Sequence, residues 1–192
     1  MGSVATEQIG DLSAGELLAQ AFPLSPAQMG IWYAQRIRPD VPLIIAQSVE
    51  IHGDLDIDRL FTALERYGRE TETDLLRLVT IDGVPHQVLD PDLKPTFIRL
   101  DFRDEPDPSA AARRWMDGAT RAPFDLERDP LIINAVLRTG ERDYIWYSRA
   151  HHILIDGYGA MSGNTRTAEI YTALEQQREP SVSRAMPLAE LY

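Results

Sequence analysis

The chain has 192 residues, 44% of them hydrophobic and 26% charged, with a formal net charge of −11. That length suits one domain or one lobe of a larger one, with enough chain to bury a core, and the composition excludes a disordered or fibrous protein. The acidic balance, with no basic stripe to offset it, argues against a nucleic-acid surface, and no apolar run reaches the length of a membrane span. The absence of cysteine excludes disulfides, thiolate zinc sites and a thiol nucleophile.

Met1 to Gln20 carry no basic region followed by an apolar run, so no secretory signal is read and a cytoplasmic setting is expected. Residues 1–21 read as a leader or linker, with a short helical pattern in Leu12, Leu17, Leu18 and Ala21. The first strong signal is FPLSPAQ from Phe22. Ser25 suits a helix N-cap, Pro26 its first position, and Gln28 can close a capping box. Met29, Trp32, Tyr33 and Arg36 follow at helical spacing.

Ile44 to Ile51 is apolar and β-branched, and predicts a strand. Gly53-Asp54 turns the chain, and Asp56 is placed to cap a helix carrying Ile57, Leu60, Leu64 and Tyr67 on one face. Leu75–Ile81 and Pro85–Leu89 flank Asp82-Gly83, a turn pair that favours a β-hairpin. Thr96 to Phe102 predicts another strand, and Asp107-Pro108 a helix running to about Ala122. Leu131–Arg138 and Asp143–Ala150 form a second predicted hairpin across Thr139-Gly140-Glu141. A last helix within Gly159 to Gln177 sets Ala160, Ala168, Tyr171 and Leu174 near one face, and 179–192, with Pro180 and Pro187, reads as a connector. Interleaved strands and helices predict an α/β (α+β sandwich) architecture, a mixed sheet covered by helices.

The segment His151-His152-Ile153-Leu154-Ile155-Asp156-Gly157 leaves the apolar strand at Tyr144–Tyr147 and enters a turn before a helix, a common setting for catalysis. In extended backbone adjacent side chains point to opposite faces, so one histidine faces the core and the other a cleft. Two bland alternatives stand beside a reactive role: a pair of backbone-bonded imidazoles, or a metal site sharing Asp156. For metal, the only further histidines are His52 and His86, and no HExxH spacing exists. Tyr144, Trp146, Tyr147 and Trp32 either line a channel or pack in the core, and packing is the more ordinary role of buried aromatics. Neither Ser148 nor Ser162 sits in a G-x-S-x-G elbow, so a serine acyl-enzyme is not expected.

A chance HHxxxDG in a chain of this size is on the order of a few in ten thousand from average residue usage. That pattern resembles the signature of condensation domains of nonribosomal peptide synthetases, within the chloramphenicol acetyltransferase-like superfamily. FPLSPAQMGIWYAQ is similar to the family's opening helix, IHGDLDIDRLFTALERY to its strand-turn-helix, and VTIDGVPHQVL to its hairpin. RAPFDLERDPLIINAVLR and DYIWYSRAHHILIDGYG complete a resemblance running from about Phe22 to Gln177. One departure concerns the family's R-H-E-x-L-R-T stretch, whose second Arg falls on Leu75 here. In relatives that Arg pairs with the Asp of the signature, which leaves Arg77, Arg149 or another cation to pair with Asp156.

The resemblance implies the N-terminal, donor-side lobe of a condensation domain over residues 22–178, with a second, C-terminal lobe beyond the connector. It implies amide bond formation between a donor acyl or peptidyl thioester and an aminoacyl acceptor, both on the phosphopantetheine of carrier proteins, with no cofactor bound by this chain. His152 is the implied catalytic group, either as base or as a positioning donor; His151, Asp156 and Gly157 support it. Gly157 is expected to permit a tight turn and close substrate approach. The implied partners are peptidyl carrier proteins, the C-terminal lobe and adjacent synthetase domains, with neither nucleic acid nor membrane among them. The lobe alone is expected to be inactive, and an apolar former interface would favour a homodimer. The alternatives are a non-catalytic partner-recruiting platform, an epimerisation domain, or a stand-alone acyltransferase of the same superfamily.

Overall fold

The computed structural model describes residues 20–190; the expected leader, apart from its last two residues, lies outside them. The elements are β1 (Phe22–Pro23), α1 (Pro26–Ile37), β2 (Ile44–His52), α2 (Ile57–Glu70), a 3-10 turn at Thr73–Leu75, β3 (Leu76–Ile81) and β4 (Val84–Leu89). They continue with β5 (Thr96–Asp101), α3 (Pro108–Arg121), β6 (Ile132–Arg138), β7 (Asp143–His151), α4 (Gly157–Glu175) and a 3-10 turn at Leu188–Glu190.

The helix starts follow from their caps. Ser25 Oγ accepts the Gln28 N–H at 3.2 Å while Gln28 Oε1 accepts the Ser25 N–H at 2.9 Å, the reciprocal pair expected from the sequence. Asp56 and Asp107 cap α2 and α3 through Arg59 N–H and Ala110 N–H, each at 2.9 Å. In the β3–β4 turn both Asp82 (φ 50°) and Gly83 (φ 81°) lie in the left-handed region, as a two-residue hairpin requires.

Two sheets result. A four-stranded sheet runs β2-β7-β6-β5, antiparallel except for the parallel β5–β6 pair that α3 connects. A three-stranded sheet runs β1-β4-β3. A mixed sheet is observed as predicted, but which strands pair in parallel and the short β1 were not read: a parallel neighbour leaves no local turn signal, and Phe22–Pro23 pairs only Gln87 and His86. Proline is tolerated there because β1 is an edge.

β7 is the central strand and is covered on both faces. Tyr144 and Trp146 pack with Leu60, Phe61, Leu64 and Val136, on the side of α2 and α4. Ile145 and Tyr147 pack with Ala112, Ala135, Leu137 and Trp115, on the side of α3. A third cluster joins Leu24 and Trp32 to the small sheet through Leu76 and Leu78, and includes Ile153 of the signature segment.

The helical spacing of Met29, Trp32, Tyr33 and Arg36 falls within α1, whereas the predicted face of α4 needs correction. On α1 the buried residues are Trp32 and Gln35, while Tyr33 is 54% exposed and Arg36 is also exposed. On α4 the buried stripe is Ala160, Gly163, Thr167, Ile170 and Ala173; Ala168 is exposed, and Tyr171 and Leu174 are half-buried. At Gly163 α4 lies close to Tyr67 of α2. A Cβ on Gly163 would come within 2.8 Å of Tyr67 Oη.

Candidate active site

The two histidines part as strand alternation requires. His151 is the last residue of β7 and fully buried; His152 begins the following turn and is exposed. The His151 N–H is taken by the Leu131 carbonyl and the His152 N–H by the Leu43 carbonyl, each at 2.8 Å, so the residues just before β6 and just before β2 grip the strand end.

The His151 ring has two partners. Nδ1 lies 3.2 Å from the Ile153 N–H, which can only donate, so Nδ1 accepts and the proton resides on Nε2. Nε2 then donates to Gln35 Oε1 at 3.2 Å. Burial, with the neighbouring His152 and Arg149 adding to it, lowers the His151 pKa to about 4, so the ring is neutral at physiological pH. His151 is a packing and hydrogen-bonding residue.

The turn is anchored at three further points. Ile153 is 2% exposed in the cluster of Leu76, Leu78 and Trp32. Gln28 Nε2 donates to the Ile153 carbonyl at 3.1 Å. Asp156 caps α4, accepting the Gly159 N–H at 2.7 Å. Neither cation named for Asp156 reaches it. Arg77 pairs with Asp90 at 2.6 Å, held by the β3–β4 register, and Arg149 sits over the Phe124 ring at 5.0 Å on the opposite face of the strand. Among the described residues Asp156 is held by backbone, which makes Leu75 compatible with an ordered turn.

Gly157 follows Asp156 directly. It lies in the first turn of α4 rather than in a left-handed turn, and a Cβ there would meet nothing within 4 Å. The open space beside it remains, but no backbone strain requires glycine. The four aromatics are mainly packing residues: Trp32, Tyr144, Trp146 and Tyr147 are all buried. Trp146 also borders a cavity of about 40 Å³ between the sheet and α2 and α4, with Asn134, Ser148, Gln47 and Asn164 on its wall. A cavity of that size accommodates water rather than a substrate arm.

Gln28 and Gln35 escaped the sequence reading as site residues. They sit two turns apart on α1, and the signal pointing to them was that spacing on a face shared with Trp32. Among the described residues no group of three or more His, Asp or Glu is placed to hold a metal, and no helix is long and apolar enough to cross a membrane.

This geometry has counterparts in known proteins. The family model for the condensation domain matches residues 18–189. The isonitrile lipopeptide synthase of Streptomyces coeruleorubidus is 40% identical over 154 residues, covering 79% of this chain and 10% of that protein. A dimodular nonribosomal peptide synthase of Bacillus subtilis (strain 168) is 37% identical over 155 residues, covering 80% of this chain and 6% of its own length. Among solved structures, a mutant starter condensation domain of rhizomide synthetase RzmA in complex with C8-CoA superposes with a TM-score of 0.87 at 31% identity, over 92% of this chain and 41% of that one. The first condensation domain of the calcium-dependent antibiotic synthetase, in complex with a substrate analogue, gives a TM-score of 0.78 at 28% identity, over 89% of this chain and 43% of that one. The chain thus spans about two fifths of these solved domains and a tenth or less of these two synthases. It belongs to the condensation domain family of nonribosomal peptide synthetases.

Proposed function

We propose that this chain is the N-terminal, donor-side lobe of a condensation domain that joins a carrier-bound acyl or peptidyl thioester to the amine of a carrier-bound aminoacyl acceptor, with His152 at the reacting centre. The observation that carries this reading is the exposure of His152 beside a buried, tautomer-fixed His151. In the reaction the acceptor nitrogen attacks the thioester carbon, a C–N bond forms, the C–S bond breaks, and the donor thiol leaves on its phosphopantetheine. The nitrogen sheds a proton, which an imidazole at hydrogen-bond distance can take. Holding both arms at one imidazole supplies much of the remaining acceleration through proximity.

His151, Asp156 and Ile153 act by fixing the turn. The exposed Tyr158 and Met161, 82% and 71% accessible at the start of α4, suit the surface on which a second lobe closes the cleft. A non-catalytic platform would draw support from Leu75, but the backbone capping by Asp156 anchors the turn without the usual Arg and favours the catalytic reading. Loaded donor and acceptor carriers mixed with the whole condensation domain should yield the amide, while this chain alone yields none. Amide formation by the chain alone would contradict the lobe assignment. Inversion of the donor's α-carbon without amide formation would point to epimerisation.

A further inference from the structure

The side chain of Gln35 is 4% exposed, and the reaction above gives it no part. Its orientation is set by its neighbours: the Leu43 N–H only donates and the Arg38 carbonyl only accepts, so Oε1 faces the first at 2.9 Å and Nε2 the second at 3.2 Å. The same Oε1 accepts from His151 Nε2 at 3.2 Å. Leu43 in turn receives the His152 N–H on its carbonyl at 2.8 Å. Two routes therefore run from one amide oxygen to His152. One passes through the ring of the preceding residue, the other through the peptide that holds the His152 backbone.

We infer that Gln35 is a positioning residue for His152, fixing the backbone from which that imidazole projects. The inference rests on the reading of His152 as the reacting group. A glutamine suits the place because it is neutral and supplies acceptor and donor at once. A carboxylate would meet the Arg38 carbonyl with no proton to give, and an aliphatic residue would leave the His151 Nε2–H and the Leu43 N–H without the acceptor they share, while the Arg38 carbonyl keeps the Val41 N–H at 3.1 Å. The control is steric as well as polar: α1 is packed through Trp32 between Gln28 and Gln35, and Gln28 grips the far side of the same turn at the Ile153 carbonyl.

The test uses Gln35→Leu and Gln35→Met, the second keeping the bulk and unbranched shape so that folding survives. In the whole condensation domain, kcat for amide formation should fall about ten- to a hundred-fold while KM for the loaded carriers stays within about two-fold, because a small displacement of a reacting group costs rate rather than binding. In a His152→Ala background the same substitution should produce no further loss. In the 192-residue chain, the His152 backbone amide should exchange faster with solvent in Gln35→Met than in the wild type. An unchanged kcat, an equal further loss in the His152→Ala background, or unaltered His152 exchange overturns the positioning role. A His152→Ala domain with the wild-type rate would instead sink the functional reading itself, whatever Gln35 does.

Discussion

At the residue scale, two buried titratable groups oppose each other. His151 has its pKa lowered to about 4, mainly by burial, while Asp74, also buried, has its carboxyl raised to about 6, mainly by burial and then by Glu65. For His151 the folded state binds fewer protons than the unfolded state between about pH 6.5 and 4, so its contribution is complete above that window and fades as pH falls. For Asp74 the folded state binds more protons between about pH 3.8 and 6, so stability gained in acid is lost as pH rises through 6. Each shift corresponds to about 3 kcal/mol at most, and across pH 4 to 6 they largely cancel. Asp74→Asn should therefore raise the thermal midpoint at pH 7 and uncover a steep loss of stability on acidification, followed by circular dichroism against pH. A pH profile unchanged from wild type would contradict the assignment. Asp156→Ala removes one helix cap and should cost about 1 kcal/mol in denaturant unfolding, with a loss of amide-forming rate in the whole domain as the turn loosens.

At the element scale, the turn after β7 is held by a hydrophobic plug and by α1. Ile153→Ala should destabilise the chain by about 2–5 kcal/mol through the cavity it leaves, read by urea unfolding, and a change below half a kilocalorie would mean the plug is not packed as described. α2 and α4 are tied by Arg166, which donates from Nε and an Nη to the two oxygens of Glu70 at 2.8 and 2.9 Å, a two-point pair that holds the Glu70 carboxyl below its ordinary pKa. The caps of α1, α2 and α3, the Asp82-Gly83 turn and both hairpins were legible in the sequence because each depends on residues within a few positions of one another. What was not legible depends on partners far along the chain. Gln35 has its His151 partner 116 residues away, which no local pattern shows. The sequence pattern sets Ala168 with Ala160 near one face of α4, but the face that packs is Ala160, Gly163, Thr167, Ile170 and Ala173, with Gly163 against Tyr67 of α2.

At the scale of the whole molecule, the HHxxxDG pattern and four further segments pointed to the family, and the structure adds the reason for the spacing of that pattern. His151 closes the core, His152 leaves it, Ile153 plugs the small sheet, and Asp156 starts the next helix. The C-terminal stretch folds back on this body: Pro180 is buried, and the Leu188 N–H donates to Glu72 Oε2 at 2.7 Å. The stretch after α4 is thus docked on this body at both points. The most direct measurement is single-turnover amide formation by the whole condensation domain, comparing wild type with His152→Ala at saturating loaded carriers. The rate should fall by about a hundred-fold or more with an unchanged thermal midpoint, since the replaced ring is exposed and supports no packing. A variant that forms the amide at the wild-type rate would contradict the assignment of the chemistry to His152.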